Sequence, residues 1–303
     1  MRLFDTLDEI KGIEETVVAL GNFDGVHLGH QELIKRTVKA AEAANLKSAV
    51  FTFSNHPREV KGILYNDEKA LVIEGLGVDY MINIPFDESI RNLRAEEFVS
   101  RILLEKMKMR EAYCGFNYRF GYKAMGTPED LMRESAKKRF GIHVLEPVMI
   151  DGTVVGSTVI RELIELGDMD ACRKFMGRNY AVGGEVVVGN RLGKSIGFPT
   201  SNLLVDDLMV APAKGVYITN CVYNGKKHPS VTNVGVKPSI GRFGKNMETH
   251  IFNFDKELYG KIIRVEFLKK MRDEKTFSDM DELAKQITKD CIMAKDFHRK
   301  NFT

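Results

Sequence analysis

Cysteine is scarce in this chain: four among 303 residues, with no CxxC pair. That excludes the usual zinc-ligand spacing and a disulfide framework. Cys114, Cys172, Cys221 and Cys291 therefore read as reduced thiols of a cytoplasmic protein. Long apolar runs are missing as well. Nothing approaches the roughly 20 residues that a membrane-spanning helix requires, and Met1-Arg2-Leu3-Phe4-Asp5 has no signal-peptide core, so no membrane association is expected. Charge of one sign is also lacking: 45 Lys and Arg stand against 42 Asp and Glu, a net +3. Such a balance suits anionic metabolites but is too weak to argue for a nucleic-acid partner. Internal repeats and low-complexity stretches are absent. What is there is a 44% hydrophobic, 29% charged globular composition, in a chain long enough for two domains.

The first half alternates strand-like and helix-like stretches. Thr16–Leu20, Ser48–Phe53, Asp79–Ile84, Glu111–Gly115 and Ile142–Leu145 read as strands, short and mostly apolar. Glu32–Asn45 and Arg94–Met107 carry helical stripes, and Thr127 and Pro128 suit the N-cap and first residue of a further helix. Strands separated by helices predict a Rossmann-like α/β domain, a parallel sheet with helices on both faces. Its ligand should sit beyond the carboxyl ends of the strands. Two short helices, Thr158–Leu166 and Asp168–Met176, lead to a change of character, and the domains are expected to be 1–177 and 178–303. The second reads as an antiparallel barrel or sandwich: strands at 184–188, 215–223, 228–234, 248–254 and 261–268, a helix over 278–300, and Asn224-Gly225 as a type I′ hairpin turn.

The stretch most charged with chemistry runs from Gly21 to Gln31, Gly-Asn-Phe-Asp-Gly-Val-His-Leu-Gly-His-Gln, between the first strand and the first helix. Gly21, Gly25 and Gly29 let the backbone turn and let an anion approach closely. A helix N-terminus favours phosphate there, and His27 and His30 add hydrogen-bond donors to the same anion. A nucleoside triphosphate site follows as the working reading. A second glycine-rich stretch, Gly189 to Ser195, imitates a P-loop, but only three residues separate Gly189 from Gly193-Lys194 and no helix follows. The P-loop reading fails.

These residues carry a resemblance. Gly21–Gln31 resembles the signature of the bacterial bifunctional riboflavin kinase/FMN adenylyltransferase (FAD synthetase) family. Thr52–Val60 resembles its T-F-x-P-H-P segment, with Asn55 where Pro is usual. Gly115–Gly121 resembles G-x-[DN]-[FY]-x-F-G, and Gly156–Arg161 resembles S-S-T-x-I-R with Gly156 replacing the first Ser. In the second half Gly197–Asn202 is similar to the kinase G-[FY]-P-T-A-N motif, with Ser201 for Ala. Asn233–Ser239 and Glu248–Asp255 resemble two further kinase segments, N-[IV]-G-x-[RK]-P-[ST] and E-[TV]-H-[IL]-[FL]-[DN]-F.

The resemblance implies an N-terminal nucleotidyltransferase domain that adenylylates FMN with Mg·ATP, releasing pyrophosphate, and a C-terminal riboflavin kinase barrel that makes FMN. It places His27, His30 and Arg161 at the adenylyl-transfer step. Gly21, Phe23, Asp24, Gly25, Gly29, Asn117, Ser157 and Thr158 fall around the nucleotide, and His56 and Pro57 near flavin. In the barrel it makes Thr200 and Asn202 the Mg²⁺ ligands, Glu248 the general base and Phe252 a flavin contact. Gly193 and Lys194 remain candidates for its phosphates. ATP, riboflavin and FMN are the implied partners, and a homo-oligomer is left open. So are a monofunctional FAD synthetase with an inactive barrel, a nucleotidyltransferase with another acceptor, and a flavin-binding regulator without catalysis. From the residues alone, Ser157 is equally an N-cap, and Gly197–Asn202 equally a proline turn.

Overall fold

Thr16–Leu20 (β2) is buried at every position, which only the middle of a sheet covered on both faces allows. The computed structural model, which describes residues 1–57, 60–189, 197–235 and 245–301, puts it there. Around it lie β1 (Arg2–Phe4), β3 (Lys47–Phe53), β4 (Tyr80–Ile84), β5 (Met109–Gly115) and β6 (Gly141–Leu145) in the order β1-β4-β3-β2-β5-β6. Every pairing in this sheet is parallel, and a short antiparallel hairpin of β7 (Met149–Ile150) and β8 (Thr153–Val154) follows it in the chain. One face buries Leu33 and Ile34 of α1 (Leu28–Ala44) and Ile73 of α2 (Asn66–Glu74). The other buries Phe98, Val99, Ile102 and Leu103, and Leu131 of α3 (Pro128–Lys138). Phe98–Lys106 winds as a π-helix, whose wider turn still keeps those four apolar residues on the buried side. Thr127 caps α3 through a reciprocal bond with Asp130, and Pro128 occupies its first turn.

The chain forms two compact units, Met1–Ser157 and Thr158–Thr303. This division precedes the boundary read near 177, because α5 (Met169–Met176) buries Met169, Cys172, Phe175 and Met176 and packs against strands of the second unit. The helix before it, α4 (Ser157–Leu166), ties its Ile164 carbonyl to the Ala213 amide of that unit.

Six antiparallel strands of the second unit close into a barrel, β10-β13-β12-β11-β14-β9, rather than a sandwich. They are β9 (Tyr180–Val187), β10 (Ser201–Val205), β11 (Gly215–Tyr223), β12 (Lys226–Gly235), β13 (Lys245–Ile251) and β14 (Ile262–Arg272). Asn224 and Gly225 join β11 to β12 with φ of 48° and 72°, the left-handed pair that a type I′ turn needs. A buried chain of hydroxyls links Ser230, Thr219, Thr232 and Thr249 at 2.8 to 2.9 Å. The terminal helix α6 (Met280–Asn301) packs Cys291 and Ala294 onto Val216, Ile218 and Val231. Arg272 pins it by gripping buried Asp290 with Nε and Nη2, the latter at 2.7 Å.

Two sequence readings change here. Arg2–Phe4 is a strand too short for its periodicity to show. The strand expected to run to Phe254 stops at Ile251, because Asn253 turns left-handed at φ 52°. Phe252 nonetheless stays on the face of Glu248 and His250, because it clusters with Val231 and Ile218, which the register places on that face. It is 6% exposed and packs beside Cys291 and Ala294, with the Lys295 ammonium 5.1 Å above its ring. It serves the core under α6. All four cysteines are buried free thiols, and burial pushes those of Cys114, Cys172 and Cys221 up to about 12.

Candidate active sites

In the first unit the loop from β2 to α1 is held by its carbonyls. Thr52 donates its hydroxyl to the Asn22 carbonyl at 2.8 Å, Ser157 to that of Asp24 at 2.8 Å, and the Gln31 amide to that of Val26 at 2.9 Å. Three elements thus fix alternate peptide groups of one loop. Two non-glycine residues inside it, Phe23 (φ 49°) and Val26 (φ 37°), are left-handed and fully buried. For β-branched Val26 this is a strained conformation, of the kind surrounding structure maintains at functional sites. Gly25 is left-handed too, at φ 80°, and a Cβ there would press on Ile63.

His27 is the N-cap of α1, which the sequence did not reveal. Its Nδ1 accepts from the His30 amide at 3.2 Å, so the ring proton lies on Nε2, the donor edge. The His27 and His30 rings stack, with centroids 3.5 Å apart, and Phe23 meets His30 edge-on at 5.1 Å. Gly29 makes room for this: a Cβ would come within 3.3 Å of the His27 ring. The histidine pair thus stands at the positive end of a 17-residue helix and at the carboxyl end of the central strand.

β3 and β5 flank β2. Beyond the end of β5, exposed Asn117 lies in the turn after Gly115, and beyond β3 come half-buried His56 and Pro57. The sheet order reverses direction at β2 and β5, the crevice where open α/β sheets take ligands. Asn117 and the histidines belong to its rim. Asp24 and Ser157 also have partners within the unit. The Asp24 carboxylate accepts from the Ile63 amide at 2.8 Å, and the Ser157 hydroxyl is engaged on the loop. Thr158 is exposed, and half-buried Arg161 follows one turn after Ser157 on α4.

Sequence reasoning missed Lys69. It lies on α2, 5% exposed, and its Nζ donates to the Phe53 carbonyl at the end of β3 at 2.6 Å. Burial drives its amine down to about 8, with Asp24 the opposing charge. An amphipathic stripe could not have signalled it, since a lysine marks the polar side of such a pattern.

In the barrel, strand register builds the second site. Glu248 on β13 pairs with Asn202 on β10 and with Asn233 on β12, so three polar side chains form one row across three strands. Asn246, two residues before Glu248 on the same face, donates to Glu248 Oε1 at 3.0 Å and to Asn202 Oδ1 at 3.3 Å. Asn202 and Asn246 are each 4% exposed. Thr200 is half-buried two residues before Asn202, and His250 Nδ1 contacts the Pro199 carbonyl at 2.8 Å. Gly193 and Lys194 lie outside the described residues. Among the described residues no group of three or more His, Cys, Asp or Glu could hold a metal ion. The donors here are a hydroxyl and an amide oxygen, hard ligands that suit Mg²⁺ when phosphates and water complete the shell.

A sheet unit with a histidine-capped glycine loop, joined to a barrel with a carboxylate between amides, matches the two family models of a two-domain transferase. The FAD synthetase family model matches residues 9–159, and the riboflavin kinase family model residues 176–298. A Haemophilus influenzae protein named bifunctional riboflavin kinase/FMN adenylyltransferase is 33% identical over 94% of this chain and 95% of its own. A Bacillus subtilis protein of the same name is 31% identical over 91% and 90%. A solved Streptococcus pneumoniae structure, titled a macrolide-efflux protein, superposes with a TM-score of 0.87 at 29% identity, covering 99% of both chains. The chain belongs to the bifunctional riboflavin kinase/FMN adenylyltransferase family. Among the described residues, no helix is long and apolar enough to cross a membrane.

Proposed function

We propose that this chain phosphorylates riboflavin to FMN in its barrel and adenylylates FMN to FAD in its sheet unit, using ATP in both. The observation that carries the reading is Glu248 set between two asparagine amides, on a strand face where Asn202 can also face a cation. Binding alone needs no base, whereas phosphoryl transfer to a hydroxyl does. The Glu248 carboxylate takes the hydroxyl proton of riboflavin as that oxygen attacks the γ-phosphorus and ADP departs. Thr200 and Asn202 would hold the Mg²⁺ that neutralises the triphosphate charge. Gly193 and Lys194 fall in the stretch assigned to its phosphates.

In the sheet unit an FMN phosphate oxygen attacks the α-phosphorus of ATP and pyrophosphate leaves. Little covalent work falls to the protein; positioning and charge stabilisation dominate. The His27 Nε2–H, His30 and the α1 N-terminus face the charge that develops on the phosphate oxygens, with Arg161 on α4 as a further donor. Gly21, Gly25 and Gly29 shape the loop, and Asn117 borders the nucleotide. Four buried, unpaired thiols suit a cytoplasmic setting. A shared fold does not fix function, so the efflux title of a similar structure carries less weight here than the side chains of the two sites.

The test supplies Mg·ATP with riboflavin, then separately with FMN, and resolves the flavins by chromatography. Both FMN and FAD should form in the first case. His30→Ala should abolish FAD formation and spare FMN formation; equal loss of both in a folded variant refutes the two-site assignment. FAD from FMN with no FMN from riboflavin would select a monofunctional enzyme.

A further inference from the structure

The carboxamide of Asn246 is buried beside two groups that the kinase reading uses for different purposes. One N–H points at Glu248 Oε1 and the other at Asn202 Oδ1, so a single nitrogen spans the base and the cation ligand. The arrangement has a cost, since the Asn246 Oδ1 is a buried acceptor with no hydrogen-bond partner among the described residues. Turning the amide over would not relieve it, because the oxygen would then oppose a carboxylate and another carbonyl. The orientation is set by what the nitrogen serves. Asn202 is confined from another direction as well: a Cβ at Gly189 would overlap its Nδ2, so the backbone of residue 189 sits directly against the amide.

The geometry points to Asn246 as a positioning residue of the kinase site, one that locks the Asn202 carbonyl and the Glu248 carboxylate into a single orientation. This rests on the kinase reading above. Asn246 touches neither the transferred phosphoryl group nor the flavin in that reading; it acts through its two neighbours. Its loss should therefore impair two observables together, cation binding and turnover, while leaving the affinity for riboflavin almost alone.

Full-length wild type, Asn246→Ala, Asn246→Ser and Glu248→Gln are compared for FMN formation from riboflavin. FAD formation from FMN serves as an internal control for intact protein. Mn²⁺ affinity in the presence of ADP is measured separately by electron paramagnetic resonance, and barrel folding by thermal melting. Asn246→Ala should lower kcat for FMN formation by about tenfold to a hundredfold, the range for a lost hydrogen bond to a charged group. It should weaken Mn²⁺ binding in parallel and keep the riboflavin KM within about threefold. Asn246→Ser, with one hydroxyl donor, should recover turnover or Mn²⁺ affinity but not both. Wild-type turnover and Mn²⁺ affinity in Asn246→Ala, with Glu248→Gln inactive, overturn the role of Asn246 and leave the kinase reading standing. Normal FMN formation by Glu248→Gln overturns both. A drop in kcat and Mn²⁺ affinity that simply tracks a lowered melting temperature, in Ala and Ser alike, also refutes positioning.

Discussion

Replacing Lys69 by Met should flatten the pH dependence of the sheet unit's stability above neutrality. The Lys69 ammonium is 5% exposed, and burial lowers its pKa from 10.5 to about 8 despite the Asp24 charge. The difference, 10.5 − 8 = 2.5 units, corresponds to about 3 kcal/mol at roughly 1.4 kcal/mol per unit. The sign follows from proton counting. Below pH 8 folded and unfolded chains both hold the proton, and the folded state bears the whole desolvation cost. Between pH 8 and 10.5 the unfolded chain keeps a proton that the folded chain has released, so stability rises with pH. From about pH 7 to about pH 9.5 the gain should reach about 2 kcal/mol in wild type and vanish in Lys69→Met. At neutral pH the net change should be smaller than the desolvation figure, because the variant also removes the 2.6 Å bond to the Phe53 carbonyl. Cys114 provides the assay: it is buried in the sheet unit, and the other three cysteines belong to the second unit. Pulsed thiol labelling across a urea series, resolved by peptide mass spectrometry, gives the stability of that unit at each pH. A wild-type minus variant difference that stays flat, or falls as pH rises, refutes the reasoning.

Gly189→Ala should cut FMN formation by about a hundredfold through displacement of Asn202, with FAD formation from FMN unchanged, as measured by flavin chromatography. Full kinase activity would show that the Asn202 amide has room to move. Arg272→Met leaves Asp290, 2% exposed, without its bidentate partner and should destabilise the barrel by about 3–5 kcal/mol in chemical unfolding. Arg272→Met with Asp290→Leu should recover most of that loss; failure to do so would mean that the pair matters for its geometry rather than for its buried charge.

What was legible in the sequence followed a repeating local rule. The strand, glycine turn and helix from Thr16 to Asn45 could be read because alternation, glycine spacing and helical period change within a few residues of one another. Asn224-Gly225 named its own turn. Arg2–Phe4 and Ser201–Val205 carry no readable strand signal, the first for its length and the second because Pro199 and the polar Thr200, Ser201 and Asn202 break its apolar pattern. The strand that carries Glu248 was read three residues too long because two-residue alternation carries no information about where a strand stops; the left-handed Asn253 decides that. At the site level, the residue types were readable but their hydrogen-bond directions were not. That His27 accepts from His30, that Ser157 grips a loop carbonyl, and that Asn246 spans two strands all depend on three-dimensional neighbours. Lys69 looked like a surface lysine for the same reason.

The barrel's pairing register has a consequence for how its variants should behave. Asn202, Glu248 and Asn233 occupy one side of their strands, while Leu203, Met247, Thr249 and Thr232 of the same strands are fully buried on the other. A slip of one residue between β10, β13 and β12 would exchange the two sets, driving the carboxylate inward and the methionine out. The lock that closes the barrel is therefore also the key that brings Asn202, Glu248 and Asn233 into one row. Damage remote from the row should thus change how many molecules work, not how well each one works. In a collection of barrel variants away from Gly189, Asn202, Asn233, Asn246 and Glu248, activity per folded molecule should cluster near wild type, and total activity should follow yield.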